Sequence, residues 1–431
     1  MEADHWITMD RLMLRVDRSS AGIDQVLIKP TMLENIPPDL VCELARFRAV
    51  RILKRAVEEG KLCGERGASI VIQFPRLPNR WGALLSRGFR ECFLDLAHEE
   101  IRGVFHLVLL SYTPDVPETM LAAASQMLFQ PDVAKTLHGG VIHLSQHRGE
   151  SPELRAKEAY SLVTGGASPL GAAVAHELAV EGRPLILTYH RRAEEAETLC
   201  RALHAEHGVD AVCFPLDLGS PESINALCEQ LVQRDARIDC VVHAAGVGGA
   251  GASKQARTRA EINARIIGVN VVGTATLQDA LEKRGLLHLE GSGTAVVVIS
   301  SIGALRPFKG RHAIDDASKG MLQEWAGEVA ERKGIHIWTL CPGAGENILP
   351  AGAANSAPMQ EFLAQMPKQS LVPLRSIGHV IRFFGDPVHA SYLNGQTLAA
   401  ANGMHMDFRE YAHPPRPNLR NLFFKSSRKR R

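Results

Sequence analysis

The chain predicts an α/β protein in two parts: a Rossmann-type doubly wound parallel sheet in the second part, preceded by a smaller α/β unit. Three observations predict it. Apolar runs of strand length alternate with stretches whose apolar residues recur three and four apart, the alternation that builds parallel sheets. At residues 160–171 a strand-like run meets Thr164-Gly165-Gly166-Ala167-Ser168-Pro169-Leu170-Gly171 and enters a helical pattern. That order, strand then glycine turn then helix, holds phosphate through backbone N–H groups and a positive helix end. Finally, 431 residues are more than one hydrophobic core usually accommodates, so two domains are expected.

In the first part, residues 1–150, strand-like pieces at Leu12–Val16 and Gln25–Ile28 end at Pro30. A helix follows Pro37-Pro38-Asp39, with Leu40, Leu44, Phe47, Val50 and Leu53 among its apolar positions. Ala68–Phe74, Val104–Ser111 and Gly140–Leu144 read as buried parallel strands, separated by helices at 83–98 and 117–128. No glycine-rich turn follows any of these strands. The first part is therefore expected to be a cofactor-less, flavodoxin- or Rossmann-like domain with a structural or dimer-forming role.

The polar stretch Gln146–Lys157 contains both Gly and Pro and reads as the linker. From 158 to about 410 the strands are Ser161–Val163, Pro184–Tyr189, Ala211–Pro215, Ile238–His243, Thr294–Ile299, Ile335–Leu340 and Thr397–Ala400. Helices are expected at 193–206, 221–233, 259–283 and 315–332. Residues 411–431 form a basic tail that ends Lys425-Ser-Ser-Arg-Lys-Arg-Arg431.

Composition excludes several classes. With 45% hydrophobic and 22% charged residues and a net charge of +2, the chain gives no reason to expect a nucleic-acid partner. The eight cysteines form no Cys-x-x-Cys pair, so neither a zinc ribbon nor a disulfide framework is indicated. His138, His143 and His147 lack ligand spacing on one element, and no metal is expected. No apolar run approaches the ~20 residues of a membrane span. The opening Met-Glu-Ala-Asp-His lacks the order of a signal peptide, so a cytoplasmic location is expected.

On these motifs the second part resembles the short-chain dehydrogenase/reductase family over about residues 158–406. Thr164-Gly165…Gly171 is similar to its cofactor turn, and Asp217-Leu218 to its adenine-contacting acid. His243-Ala244-Ala245-Gly246 resembles the turn after its fourth strand, in the form seen in polyketide ketoreductases. Asn270 stands at its helix-bending asparagine, Ser300 (or Ser301) at its catalytic serine, Lys319 at its lysine and Pro342-Gly343 after its sixth strand. The two-part layout resembles the high-molecular-weight 3-oxoacyl-[acyl-carrier-protein] reductases.

The resemblance implies a ketoreductase acting on a carrier- or CoA-linked 3-oxoacyl chain of fatty-acid or polyketide type, in a homodimer or homotetramer. It implies that Gly165, Gly166, Ser168, Leu170, Gly171, Asp217, Leu218, Ala244, Ala245, Gly246, Lys319, Pro342 and Gly343, with Thr164, surround a nicotinamide dinucleotide. An acid at the end of the second strand would bind a ribose 2′-OH, whereas arginine accommodates a 2′-phosphate. Here the chain has His190-Arg191-Arg192, so NADP is favoured over NAD. Two departures stand out. Asp315 occupies the position of the family's catalytic tyrosine, four residues before Lys319, so Asp315 or His312 would have to replace the missing acid. Pro169 occupies the central glycine of the cofactor turn and removes one N–H. Two alternatives share the fold: a non-redox dehydratase, cyclase or isomerase using an Asp315–Lys319 pair, and a silent partner subunit of an active reductase.

Overall fold

The computed structural model describes residues 6–9, 12–19, 22–30, 68–75, 90–91, 93–94, 97–98, 105–146, 158–252, 258–306, 313–346, 360, 363–364 and 368–406. The expected helix after Pro37, most of the linker, His312 and the basic tail lie outside them.

The first sheet runs in sequence order: β1 (Trp6–Met9), β2 (Leu12–Ser19), β3 (Gly22–Pro30), β4 (Ala68–Pro75), β5 (Phe105–Tyr112) and β6 (Gly140–Leu144). From β3 to β6 the pairing is parallel, as expected. The start of the sheet corrects the expectation of an all-parallel, Rossmann-like unit, because β1, β2 and β3 pair antiparallel. The physical reason is length. Only two residues separate Ser19 from Gly22, enough for a hairpin, whereas a parallel crossover takes about a dozen or more. Helices α1 (Glu118–Leu128) and α2 (Pro131–Thr136) connect β5 to β6, and α2 was not expected from the sequence.

The second sheet has seven strands, all parallel: β7 (Tyr160–Thr164), β8 (Leu185–Tyr189), β9 (Ala211–Pro215), β10 (Ile238–His243), β11 (Thr294–Ile299), β12 (Ile335–Pro342) and β13 (Thr397–Ala400). Their spatial order is β13-β12-β11-β10-β7-β8-β9. The chain thus builds outward from β7 in one direction, then returns to β7's other side and builds the opposite way. Alternate residues of each strand face two separate cores. Val163, Leu187, Val242 and Val297 pack beneath α3 (Pro169–Val180), α4 (Ala193–His207) and α9 (Leu374–Phe384). Leu162, Ile186, Val241 and Val296 pack beneath α5 (Pro221–Gln233), α7 (Thr274–Lys283) and α8 (Ala313–Val329). The expected helix over 259–283 is continuous but carries a π-helical turn, Gly268–Gly273, between α6 (Arg259–Ile267) and α7.

One hydrophobic core runs through both parts: Leu128, Val133 and Ile142 join the same cluster as Val174, Ile377 and Phe384. At the seam the His143 N–H donates to Gln396 Oε1 at 3.1 Å, Gln396 Nε2 donates to the His143 carbonyl, and the Ala401 N–H donates to the Thr136 carbonyl at 2.9 Å. Beside this seam, buried Glu177 of α3 accepts from Arg375 (3.2 Å), His379 (3.1 Å) and Arg382 (3.0 Å) of α9. Burial alone would raise the Glu177 pKa, but its His379, Arg375 and Arg382 partners hold it below the ordinary value.

Candidate active site

Neighbouring strands β7 and β10 carry their helical connections to opposite faces, so a crevice opens at their C-terminal ends. A cleft of about 380 Å³ lies there. The strand ends bring expected residues from distant stretches to its wall: Gly165 and Ser168 after β7, His190, Arg191 and Arg192 after β8, Asp217 and Leu218 after β9, and Ala244, Ala245 and Gly246 after β10.

The floor is the turn after β7. Gly165 has φ +66°, a conformation that costs glycine little. A Cβ on Gly171 would come 2.3 Å from the Gly165 carbonyl oxygen, so the helix can approach the turn only with glycine there. Ser168 caps α3, its hydroxyl oxygen accepting the Gly171 N–H at 3.0 Å. Pro169 occupies the first helical position, where an N–H would have no helical partner in any case. Pro169 lines the cleft, and the Leu170 N–H is left as the first-turn donor free of a protein partner among the described residues. The cradle fits a dinucleotide diphosphate. Thr164, Gly166 and Gly171 support it rather than line it. The Thr164 hydroxyl accepts the Ala245 N–H at 3.0 Å and so stitches the turn after β7 to that after β10.

Charge is concentrated at the adenosine end. Arg192 donates to the Ala167 carbonyl at 3.4 Å, arching over the phosphate turn, and His190 Nε2 lies 3.3 Å from Asp217 Oδ2. No acid ends β8. Sequence reasoning missed Thr188, Val269 and Arg265, which also line the cleft. Val269 and Arg265 lie four residues apart and so share one face of the helix, a pairing that only their position beside the cleft reveals.

Behind the cleft lies the Lys319 group. Lys319 Nζ donates to the Ile299 carbonyl at 2.9 Å, and a Cβ on cleft-lining Gly246 would lie 3.4 Å from that nitrogen. Burial pulls the Lys319 pKa down to about 8, against the opposing charges of Cys341 and Asp315. Asp315 sits one turn earlier on α8, where its Oδ2 would meet a Cβ on Gly248 at 3.7 Å.

Asn270 is a brace. Its Oδ1 accepts the Val247 N–H at 2.8 Å, and its Nδ2 donates to the Val247 carbonyl and to Ser318 Oγ at 3.1 and 3.0 Å. Ser300 is buried, and its hydroxyl donates to the Lys319 carbonyl at 2.9 Å. The partly exposed neighbour Ser301 accepts the Gly303 N–H at 3.1 Å, and among the described residues its own hydroxyl proton has no acceptor. Of the two serines considered from the sequence, Ser301 is the one with a hydroxyl to offer. His243 is a core residue whose Nε2 donates to Gln278 at 3.0 Å; burial drops its pKa to about 4. Pro342 and Gly343 close β12 outside the cleft wall, the Gly343 N–H donating to the Ala400 carbonyl at 2.9 Å.

This fold and strand-end cleft define a short-chain dehydrogenase/reductase. The chain belongs to the family described as enoyl-(acyl carrier protein) reductase, whose profile matches residues 165–405. It is 29% identical over 252 residues to an oxidoreductase of Methylorubrum extorquens, covering 57% of this chain and 96% of that one. It is 25% identical over 252 residues to a 3-oxoacyl-[acyl-carrier-protein] reductase of Staphylococcus aureus, covering 57% and 98%. Among solved structures, the actinorhodin polyketide ketoreductase with NADPH superposes with a TM-score of 0.51 at 24% identity, over 59% of this chain and 99% of that one. A short-chain dehydrogenase of Burkholderia cenocepacia in complex with NADP gives 0.50 at 23%, over 57% and 98%. These structural likenesses concern the fold. Among the described residues no helix is long and apolar enough to cross a membrane.

Proposed function

We propose that the chain is an NADP(H)-dependent oxidoreductase that reduces the 3-oxo group of an acyl thioester, carried on CoA or an acyl-carrier protein. One observation carries the cofactor choice: His190, Arg191 and Arg192 line the cleft where an acid would be needed to prefer a bare ribose hydroxyl. The names of the relatives, 3-oxoacyl and ketoacyl reductases among them, support the substrate class.

NADPH, when bound, supplies the hydride. The chain supplies orientation and the proton. The Ser301 hydroxyl donates to the substrate carbonyl oxygen. The Lys319 ammonium, with a pKa near 8, is the acid that replaces the absent phenol; it gives one proton to the developing alkoxide and is reprotonated from solvent. Asn270 holds the turn after β10 against α8, fixing Lys319 relative to the cleft. Asp315 beside Lys319 favours a second reading, in which the carboxylate acts as a base in a non-redox dehydration, cyclisation or isomerisation.

The test mixes purified protein, NADPH and acetoacetyl-CoA and follows nicotinamide absorbance together with the acyl product. Stoichiometric NADPH loss and a 3-hydroxyacyl product are expected. Conversion of the thioester without cofactor, abolished by Asp315→Asn, would replace this reading with the second.

A further inference from the structure

We infer that α3 and α4 carry a zinc site, formed by His176, Glu206 and His207, on the outer face of the second domain. No metal was expected from the sequence, because His176 lies thirty residues before the adjacent pair Glu206-His207 and only the fold brings them together.

The geometry points to a missing cation. His176 Nδ1 and His207 Nε2 face the same carboxylate oxygen, Glu206 Oε2, at 3.6 and 3.8 Å. Both separations exceed the ~3.2 Å limit of a good N–H···O bond, so a hydrogen bond does not account for the convergence. Zinc bonds of about 2.0–2.1 Å at tetrahedral angles put neighbouring ligand atoms ~3.4 Å apart. One ligand atom from each of the three residues already lies within 4.8 Å of the others, and the two measured pairs need to close by only a few tenths of an ångström. The imidazole rings stand 6.2 Å apart at 75°, edge to face. No hydrogen bond commits any of these side chains elsewhere among the described residues.

Two further features favour a cation at this point. Glu206 and His207 are the last residues of α4, which ends at Gly208 in the left-handed region (φ +69°). A helix C-terminus carries partial negative charge. The side chains are 41%, 57% and 24% exposed for His176, Glu206 and His207, leaving the fourth position to water. Two imidazoles and one carboxylate suit Zn²⁺, whereas Mg²⁺ and Ca²⁺ prefer all-oxygen sets. Among the described residues no other three His, Cys, Asp or Glu side chains converge this way.

His176 lies seven residues beyond Pro169, about two helical turns from the cleft. The ion therefore ties α3 to α4 without touching the reaction, and the site stands independently of the proposed activity.

The test is titration of untagged, chelator-treated full chain with ZnCl₂ by calorimetry, with MgCl₂ as control. One saturable zinc per chain, a higher thermal midpoint and no magnesium binding are expected. His176→Ala and His207→Ala each weaken zinc binding by about tenfold or more. Both positions are surface ones, and circular dichroism verifies the fold of each variant. Glu206→Gln weakens binding with least change of shape. Zinc binding unchanged in all three variants, no saturable binding, or X-ray absorption showing sulfur ligation would overturn the assignment.

Discussion

The two sheets of this protein use the same kinds of strand and helix, yet the cleft that gathers the candidate site residues opens at the strand ends of the second. In the first sheet the order follows the chain from β1 to β6. In the second the order reverses at β7, and β7 and β10 part their connections to opposite faces. A binding crevice follows from that reversal. The glycine turn matters because it sits at the reversal: β7 ends there on Thr164-Gly165. The first sheet serves differently, lending its β6 edge and α2 to the β13 edge and α9 of the second. One part carries the candidate site and the other packs against its β13 flank.

Several measurements sharpen that contrast. The largest effect is expected at Lys319: Lys319→Met lowers kcat of reduction by about a thousandfold if it is the general acid. In the unaltered enzyme, kcat falls as pH rises through about 8, where the ammonium is lost. A flat profile up to pH 9.5 would move the acid elsewhere. For stability the sign is opposite. The folded pKa of Lys319 is depressed, so the unfolded chain binds more protons between about 8 and the ordinary lysine value near 10.5, and this group makes the fold more stable as pH rises through that window.

Glu177→Gln comes next, with a loss of about 3 kcal/mol in denaturant unfolding, because Arg382, Arg375 and His379 lose their buried carboxylate partner. The Glu177 pKa is depressed on folding. Its contribution is therefore present above the ordinary carboxylate pKa and is lost as pH falls through the lower folded value, and the variant loses that part of the acid slope.

Gly171→Ala compares the sheets directly. It should cost about 1–3 kcal/mol of stability and about a hundredfold in NADPH affinity. Gly140→Ala in the first sheet forces a Cβ to 2.7 Å from the Leu137 carbonyl oxygen; it should destabilise comparably and leave NADPH affinity unchanged. Equal effects on cofactor binding would erase the distinction between the sheets. The smallest effect belongs to Gln396→Ala at the seam, about 1 kcal/mol, read as faster hydrogen exchange in β13 with catalysis preserved.

Much of the second domain was legible because each buried strand is a short run of β-branched and aliphatic residues with turn residues at its ends. Ala211–Pro215, Ile238–His243 and Thr294–Ile299 were placed to the residue. Helix α9 was missed although Leu374, Ile377, Val380, Ile381 and Phe384 recur at three and four after Pro373; Ser376 and Gly378 interrupt the pattern, and both are buried against neighbours. The π-helical turn was not visible either, since it arises where Asn270 is pulled toward Val247 and Ser318 by contacts far away in sequence. The choice between Ser300 and Ser301 depends on strand parity, because successive residues point to opposite sides and a shift of one exchanges them. The seam between the domains depends on Gln396 meeting His143, a pairing that no local pattern records.

The most direct test of the cleft is a fluorescence titration of the purified chain with NADPH and then NADH. Saturable NADPH binding at least about tenfold tighter than NADH, with the preference lost in an Arg191→Ala/Arg192→Ala double variant, is the expected result. Binding of neither nucleotide, or tighter binding of NADH, would contradict the account.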